Sequence, residues 1–433
     1  MAQRLALVLG LGAWATMACA QAPSTPGAPE RPPAKASTDA PPGAGLLPAN
    51  PASPLPDPDL ASSAAFPARR GFVRAEPFLL YPTLGAGIGY NDNLTGEPGK
   101  PLDSPLLLIA PQLVAETKSG GHAFSATYSG SYGHYTSSSD NDFDDHAFVL
   151  ASSSQFTARA DLDATAFYLI DHDVAGSVSR AYRGTPDVWH AAGVDATFGY
   201  GARDAQGRIE AQAGVTDKRY KTNLEVTEAF DVRTWNAAAR FFYRVAPLTR
   251  LLAELRYTDY DYTQQGSPLD SSETRLTLGA TWEATAATRG IVKVGYVAKR
   301  FRDDAVDDYG GPTFEAAVRW LPLTYSRVEA IASYAPVDTT GSGLYSLDTA
   351  FAIRWVHDWK SYLQTRVVAS YVKSDYEGVD RKDHVARIGV GGFFDARTWL
   401  RFGLEFAHEN HGSTDPAFDF TRNLVLLTVA GTI

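Results

Sequence analysis

Cysteine is nearly missing from this chain: Cys19 is the only one in 433 residues. It lies in an N-terminal segment that reads as a cleaved leader, which leaves the mature chain without disulfides or Cys-ligated zinc. A basic surplus is missing too. Lys and Arg number 39 against 49 Asp and Glu, a formal net charge of −10. Nothing is left over to neutralise phosphates, which excludes nucleic acid as a partner. Beyond the N-terminus no apolar run approaches the roughly 18 residues of a transmembrane helix. The nine histidines are scattered without a His-x-x-x-His spacing. The stretch Asp140-Asn141-Asp142-Phe143-Asp144-Asp145 has Asp145 where a calcium loop needs glycine and Ala151 where it needs glutamate. Gly85, Gly87 and Gly89 alternate along a strand pattern with no helix after them, so they form no phosphate loop. No metal, no cofactor and no catalytic residue is expected, and the chain is not read as an enzyme.

The N-terminus divides by composition. Residues 1–20 carry Arg4, an apolar core from Leu5 to Ala15 and the small-x-small Ala18-Cys19-Ala20, the layout of a secretory signal with a mature start at Gln21. A lipoprotein signal would instead acylate Cys19, and Thr16 and Met17 fit that poorly. Residues 21–70 hold 13 of the 26 prolines. That composition cannot bury a core and reads as a disordered periplasmic linker.

Residues 71–433 read as one all-β unit. In 121–135, Phe124, Ala126, Tyr128, Gly130 and Tyr132 share one face while Ser125, Thr127, Ser129 and Ser131 share the other, the period of two of a strand. Gly120-Gly121 makes this strand and the preceding one a hairpin. The apolar face is small and aromatic, which suits a wall with lipid outside and water inside better than a soluble sandwich. The pattern recurs in 18 strands, from 81–92 to 420–432. Turns of three or four residues, such as 117–120, 156–158 and 357–359, alternate with long polar loops such as 93–103, 172–187 and 302–310. This rhythm predicts a transmembrane antiparallel up-and-down β-barrel in the bacterial outer membrane, with short turns and both termini in the periplasm. Trp282, Trp320, Trp355, Trp359 and Trp399 all lie beside short turns, as an interfacial girdle requires.

Alternation then assigns the faces. In 248–261, Leu251, Ala253, Leu255 and Tyr257 face lipid while Glu254 and Arg256 face inward. The same parity places Arg240, Arg275, Arg319, Arg327, Arg354, Arg366, Arg401 and Glu405 in the lumen. A charge facing lipid near the midplane would cost about 2–4 kcal/mol. Two readings of these arginines stand open: ion pairs that stiffen a hydrated wall, or a ladder of weak, exchangeable contacts to a passing polymer.

A stretch of the N-terminal third resembles a known family. It runs through Gly87-Ile88-Gly89-Tyr90-Asn91-Asp92-Asn93-Leu94, Ser104-Pro105, 128–135, Asn141-Asp142-Phe143-Asp144-Asp145-His146 and 168–177 with its Asp171-His172-Asp173. This order is similar to the β-barrel porins of exopolysaccharide-biosynthesis loci, the EpsL-like outer-membrane proteins. The resemblance is specific over about residues 80–180 and rests on strand rhythm beyond. It implies export of exopolysaccharide or capsular polysaccharide from a Gram-negative cell. The implied partners are outer-membrane lipid and lipopolysaccharide, the polysaccharide itself, a periplasmic polysaccharide-export protein and an inner-membrane copolymerase. Barrels of this kind often end in Phe, where this sequence has Ile433. The alternatives are a general or solute-specific porin, which an inward-folding loop at 172–187 would favour, and a plugged surface lectin that anchors capsule.

Overall fold

The computed structural model describes residues 73–432 apart from 100, 177, 178, 203 and 286. The expected signal, linker and Ile433 lie outside the described residues. A short strand, β1 (Val73–Ala75), leads into β2 (Phe78–Asn91), β3 (Ser104–Ser119), β4 (His122–Tyr135), β5 (Phe143–Gln155), β6 (Ala160–Asp173) and β7 (Asp187–Tyr200). The wall continues through β8 (Gly207–Tyr220), β9 (Val232–Ala246), β10 (Thr249–Tyr262), β11 (Ser271–Thr285), β12 (Thr288–Phe301) and β13 (Tyr309–Leu323). It is completed by β14 (Ser326–Asp338), β15 (Tyr345–Lys360), β16 (Leu363–Glu377), β17 (Lys382–Arg397), β18 (Leu400–Ser413) and β19 (Phe420–Thr432). From β2 onward each strand pairs antiparallel with the next, and β19 pairs back onto β2 from Leu424↔Asn91 to Thr432↔Thr83. The barrel is closed and has 18 strands. Closure leaves no unpaired edge, the condition for a sheet to stand in hydrocarbon.

All 18 expected strands are present, and several run further than polarity indicated. The expected strand 346–356 ends at Lys360, and 383–394 ends at Arg397. Thus 357–359 is strand, not turn, and the true connection is Ser361-Tyr362. Charged and aromatic residues end the hydrophobic pattern where a strand leaves the hydrocarbon, while the backbone ladder carries on into the polar rim. The rhythm of connections holds with one inversion. The long-loop side includes 378–381, which is shorter than the short-side connection 201–206. Because the strand number is even, β2 starts and β19 ends at the same mouth, the one with the short turns.

The outer face shows what lipid demands. Leu251, Leu255, Leu276, Leu278, Ile353 and Leu404 are exposed along the middle of the wall. Exposed Trp320, Tyr325, Trp359, Tyr362 and Trp399 ring the short-turn end, and Tyr90, Trp235, Tyr257 and Tyr296 stand toward the other. Amphipathic rings at both ends of an apolar band form the two interfacial girdles of a membrane barrel.

Inside, the half of the barrel nearer the long loops is packed rather than open. Phe167, Leu169, Trp189, Tyr220, Phe230, Tyr260 and Tyr262 form one buried cluster on β6 to β10 and the connection before β9. Leu344, from the 339–344 connection on the far side, packs against it. Trp189 therefore serves the interior and not a girdle.

Candidate functional site

The inward arginines and glutamates form chains of opposite charge that step across alternate strands. Glu254 on β10 is the hub of the largest. Its carboxylate lies 2.5 Å from Arg240 Nε, 3.1 Å from Arg256 Nη2 and 3.1 Å from Lys293 Nζ. Lys293 continues to Glu315 at 2.6 Å, which Arg275 meets at 2.9 Å while also holding Glu273 at 2.8 Å. Arg240 further donates to Gln212. Elsewhere Arg366 holds Glu405 at 2.6 Å, and Arg401 forms a bidentate pair with Asp395 at 2.7 and 3.0 Å. Arg319, Arg327 and Arg354 converge on one carboxylate, Glu329, at 3.4–3.7 Å. All ten residues singled out from the sequence stand on the inner face. The structure groups them into a five-strand network on β9 to β13, a three-arginine group at β13 to β15, and separate pairs on β16 to β18.

Their surroundings differ from the hydrated wall expected from sequence. Arg275 and Glu405 are 1% exposed and Glu254 is 2% exposed, so the wall side chains lie against one another with little water between. In such a medium ion pairs are held more strongly than on a surface, and stranding one member costs about 3–5 kcal/mol. Reversing several of these arginines to glutamate would set carboxylates against carboxylates and break the wall itself.

Sequence reading missed the residue that organises the other half of the lumen. Ala175, Gly176 and 179–186, between β6 and β7, run inward as a strap and reach the wall on the far side. Ser179 O accepts from Ser342 N at 2.9 Å and from Arg381 Nη1 at 3.2 Å, and Ser179 Oγ accepts from Thr340 N at 3.2 Å. Ala175 O accepts from Arg422 Nη1 of β19 at 3.1 Å. Arg180 pins this crossing. It donates to Asp173 at 2.9 Å, to Asp187 at 2.7 Å and to Thr340 O, with its guanidinium 5.0 Å from the Tyr220 ring centre. Burial opposes the charge on Arg180, but Tyr220, Asp173 and Asp187 outweigh it and hold the guanidinium's pKa above its ordinary value. Arg180 therefore keeps its charge across the whole living pH range. Two glycines make the close approach possible. A Cβ on Gly341 would stand 2.5 Å from Ser179 O, and one on Gly176, at φ +78°, would stand 2.5 Å from the Phe420 ring. The length of the 172–187 loop was the one sequence signal for this feature, and its path across the lumen was not legible.

At the long-loop rim Asp145, Asp171 and His172 bring possible ligand atoms within 4.8 Å of one another. His172 Nδ1 lies 2.8 Å from Asp145 Oδ1 and its ring stacks on Phe143. The Asp140–Asp145 stretch is occupied by local bonding: Asp142 accepts from Tyr135 N at 2.8 Å and stands 2.6 Å from His134 Nδ1.

A family model described as "Putative beta-barrel porin 2" matches residues 73–432, the whole barrel. No curated protein sequence matches the chain. Among solved structures the barrel is similar to OpdK from Pseudomonas aeruginosa, with 10% identity, 84% of this chain and 100% of that one covered, and a TM-score of 0.46. It is similar to OpdL from the same organism at 10% identity, covering 83% and 99%, with a TM-score of 0.47. OccAB4 from Acinetobacter baumannii aligns at 11% identity, covering 84% and 100%, with a TM-score of 0.44.

Proposed function

Because the chain belongs to the family described as putative β-barrel porin 2, an outer-membrane barrel with a channel fold, we propose that it is the exit channel for an exopolysaccharide or capsular polysaccharide. The observation that carries this reading is the lumen wall. Arginines and carboxylates from almost every strand of the second half face inward: the buried Glu254–Lys293–Glu315–Arg275 run is paired within the wall, while Arg327 and Arg354, nearer the short-turn mouth, stand partly exposed and loosely held at 3.4 and 3.7 Å from Glu329. A sliding saccharide needs many replaceable contacts and no single tight one, since conduction requires binding strong enough to enter and weak enough to leave. The resemblance of residues 80–180 to barrels of exopolysaccharide loci supports the same reading. On it, the short-turn mouth and both chain ends are periplasmic, polymer arrives from a periplasmic export protein and an inner-membrane copolymerase, and the strap across the opposite mouth is displaced during export. Deleting the gene is expected to abolish surface polymer and to leave it in the periplasm, with a plasmid copy restoring secretion. Unchanged surface polymer in the deletion strain would end the export reading.

The strap favours a second reading, a solute-selective porin in which the inward loop forms the constriction. The two separate cleanly. A solute channel carries small sugars or organic acids into proteoliposomes and leaves polymer secretion untouched when deleted. A plugged capsule anchor would do neither and would retain polymer at the cell surface.

Residues 21–70 are proposed to be a linker that the barrel does not need. A chain starting near Arg70 is expected to insert and to keep its heat-modifiable migration on gels. Loss of either would give the linker a structural role.

A further inference from the structure

Charge in the lumen is balanced at mid-wall and unbalanced at the short-turn mouth. On β9 and β10 Arg244 and Arg250 are direct cross-strand partners, and on β12 and β13 so are Arg289 and Arg319. Like charges directly opposite destabilise a sheet. Arg250 is 7% exposed, yet its side chain makes no hydrogen bond or ion pair among the described residues, and its Nη1 is buried without a partner. The Arg244 guanidinium makes none either. The carboxylates whose fields reach Arg250 are Glu283 and Glu210, and Glu210 is already held by Arg208 at 2.9 Å. Further along the same rim, Arg327 and Arg354 share Glu329, at 3.4 and 3.7 Å. Asp358, at the margin, accepts from Gln364. A wall built only for stability would place an acid opposite Arg244, as it places Glu254 opposite Arg240.

We infer that this arc of the short-turn mouth, from Arg244 and Arg250 to Arg327 and Arg354, is a binding site for a polyanionic saccharide chain bearing carboxylate or phosphate groups. Guanidinium is suited to both, because its planar donors match a carboxylate or phosphate edge two at a time and no pH in the living range removes its charge. The incoming anions supply the counter-charges that the wall withholds, and each can move on to the next arginine. The inference rests on the export reading in one respect, that the bound anion belongs to the exported polymer.

The test uses the full chain purified in detergent and titrated calorimetrically with oligogalacturonate, polyphosphate and an uncharged malto-oligosaccharide of similar length. At low salt at least one polyanion is expected to bind about tenfold or more tightly than the neutral chain, a difference of about 1.4 kcal/mol. Which polyanion is preferred assigns the carboxylate or the phosphate source. The double variant Arg244→Gln/Arg250→Gln is expected to lose about tenfold in that affinity while its thermal stability stays level or rises, because a repulsive pair has been removed. A wall arginine with a structural role would give the reverse. Arg302→Gln, which breaks exposed pairs with Asp259 and Asp261 at the other mouth, is expected to leave affinity unchanged. Equal binding of charged and neutral chains, or a double variant that binds as well as the parent, would overturn the anion site. If the deletion strain still secretes polymer while the purified barrel prefers polyanions, the site stands and the export reading falls.

Discussion

Releasing the strap is expected to raise single-channel conductance in planar bilayers by the largest factor of any change to this protein. Two substitutions reach it by different physics. Arg180→Ala leaves Asp187, which it now holds at 2.7 Å, without that counter-charge, and leaves Asp173, now held at 2.9 Å, with the more distant Lys218 at 3.8 Å. Stranding buried charges costs about 3–5 kcal/mol, which shifts the docked-to-undocked ratio by at least about a hundredfold. Gly341→Val changes no charge and acts by volume alone, since its Cβ would meet Ser179 O at 2.5 Å. The backbone bond from Ser342 N to Ser179 O and the Thr340 N bond to Ser179 Oγ would open with it. Both variants are expected to keep the folded, heat-modifiable barrel, because the strap belongs to a connection and no ladder bond between strands is lost. Conductance equal to that of the parent in both, with the barrel intact, would mean that the strap does not limit passage. On the export reading the released forms also admit small solutes that the parent excludes, and cells carrying them gain sensitivity to large hydrophilic antibiotics.

The second large effect tests the faces of the wall. Leu255→Arg is expected to cut assembly yield more than Arg256→Leu, although the two positions are adjacent. Leu255 is 52% exposed on the outer face, between Leu251 and Tyr257, where an unpaired cation near the midplane costs about 2–4 kcal/mol. Arg256 points inward and is buried beside Glu254. Removing it leaves that carboxylate with Arg240 at 2.5 Å and Lys293 at 3.1 Å. The loss is therefore that of hydrogen bonding to a charged acceptor that keeps other donors, about 1.5–3 kcal/mol. Band shift on unheated gels and urea midpoints in lipid vesicles measure both. Equal yields would mean that the parity of β10 has been assigned backwards.

The neutral half of the lumen and the cationic rim also explain each other. At mid-wall the arginines have carboxylates on their own, a neighbouring or a next-but-one strand, so on the export reading a polymer passing there meets charges that are already paired. At the short-turn mouth the arginines outnumber their acids. On the export reading an anionic chain is therefore drawn to the mouth and then passes a wall whose charges are already paired.

How much of this was legible in the sequence follows from the range over which each feature is determined. The strand number, the inward or outward facing of Leu255 and Arg256, and the tryptophan girdle at the short turns all rest on the period of two within a single strand. That period is local, because successive Cβ atoms point to opposite faces whatever the rest of the chain does. Strand ends were less legible, as at 357–360, because polarity marks the limit of hydrocarbon and not the limit of hydrogen bonding. The partners of the arginines were not legible at all. Arg275 meets Glu315 across an intervening strand, and Arg244 faces Arg250 rather than an acid. Such choices depend on the registers of pairing and on how close the walls of a closed barrel come. The strap lies at the far end of this scale. Ser179 touches Thr340, Ser342 and Arg381, residues distant in sequence and nearly half the circumference away, so only closure of the whole barrel brings them together and decides that this lumen is crossed rather than clear.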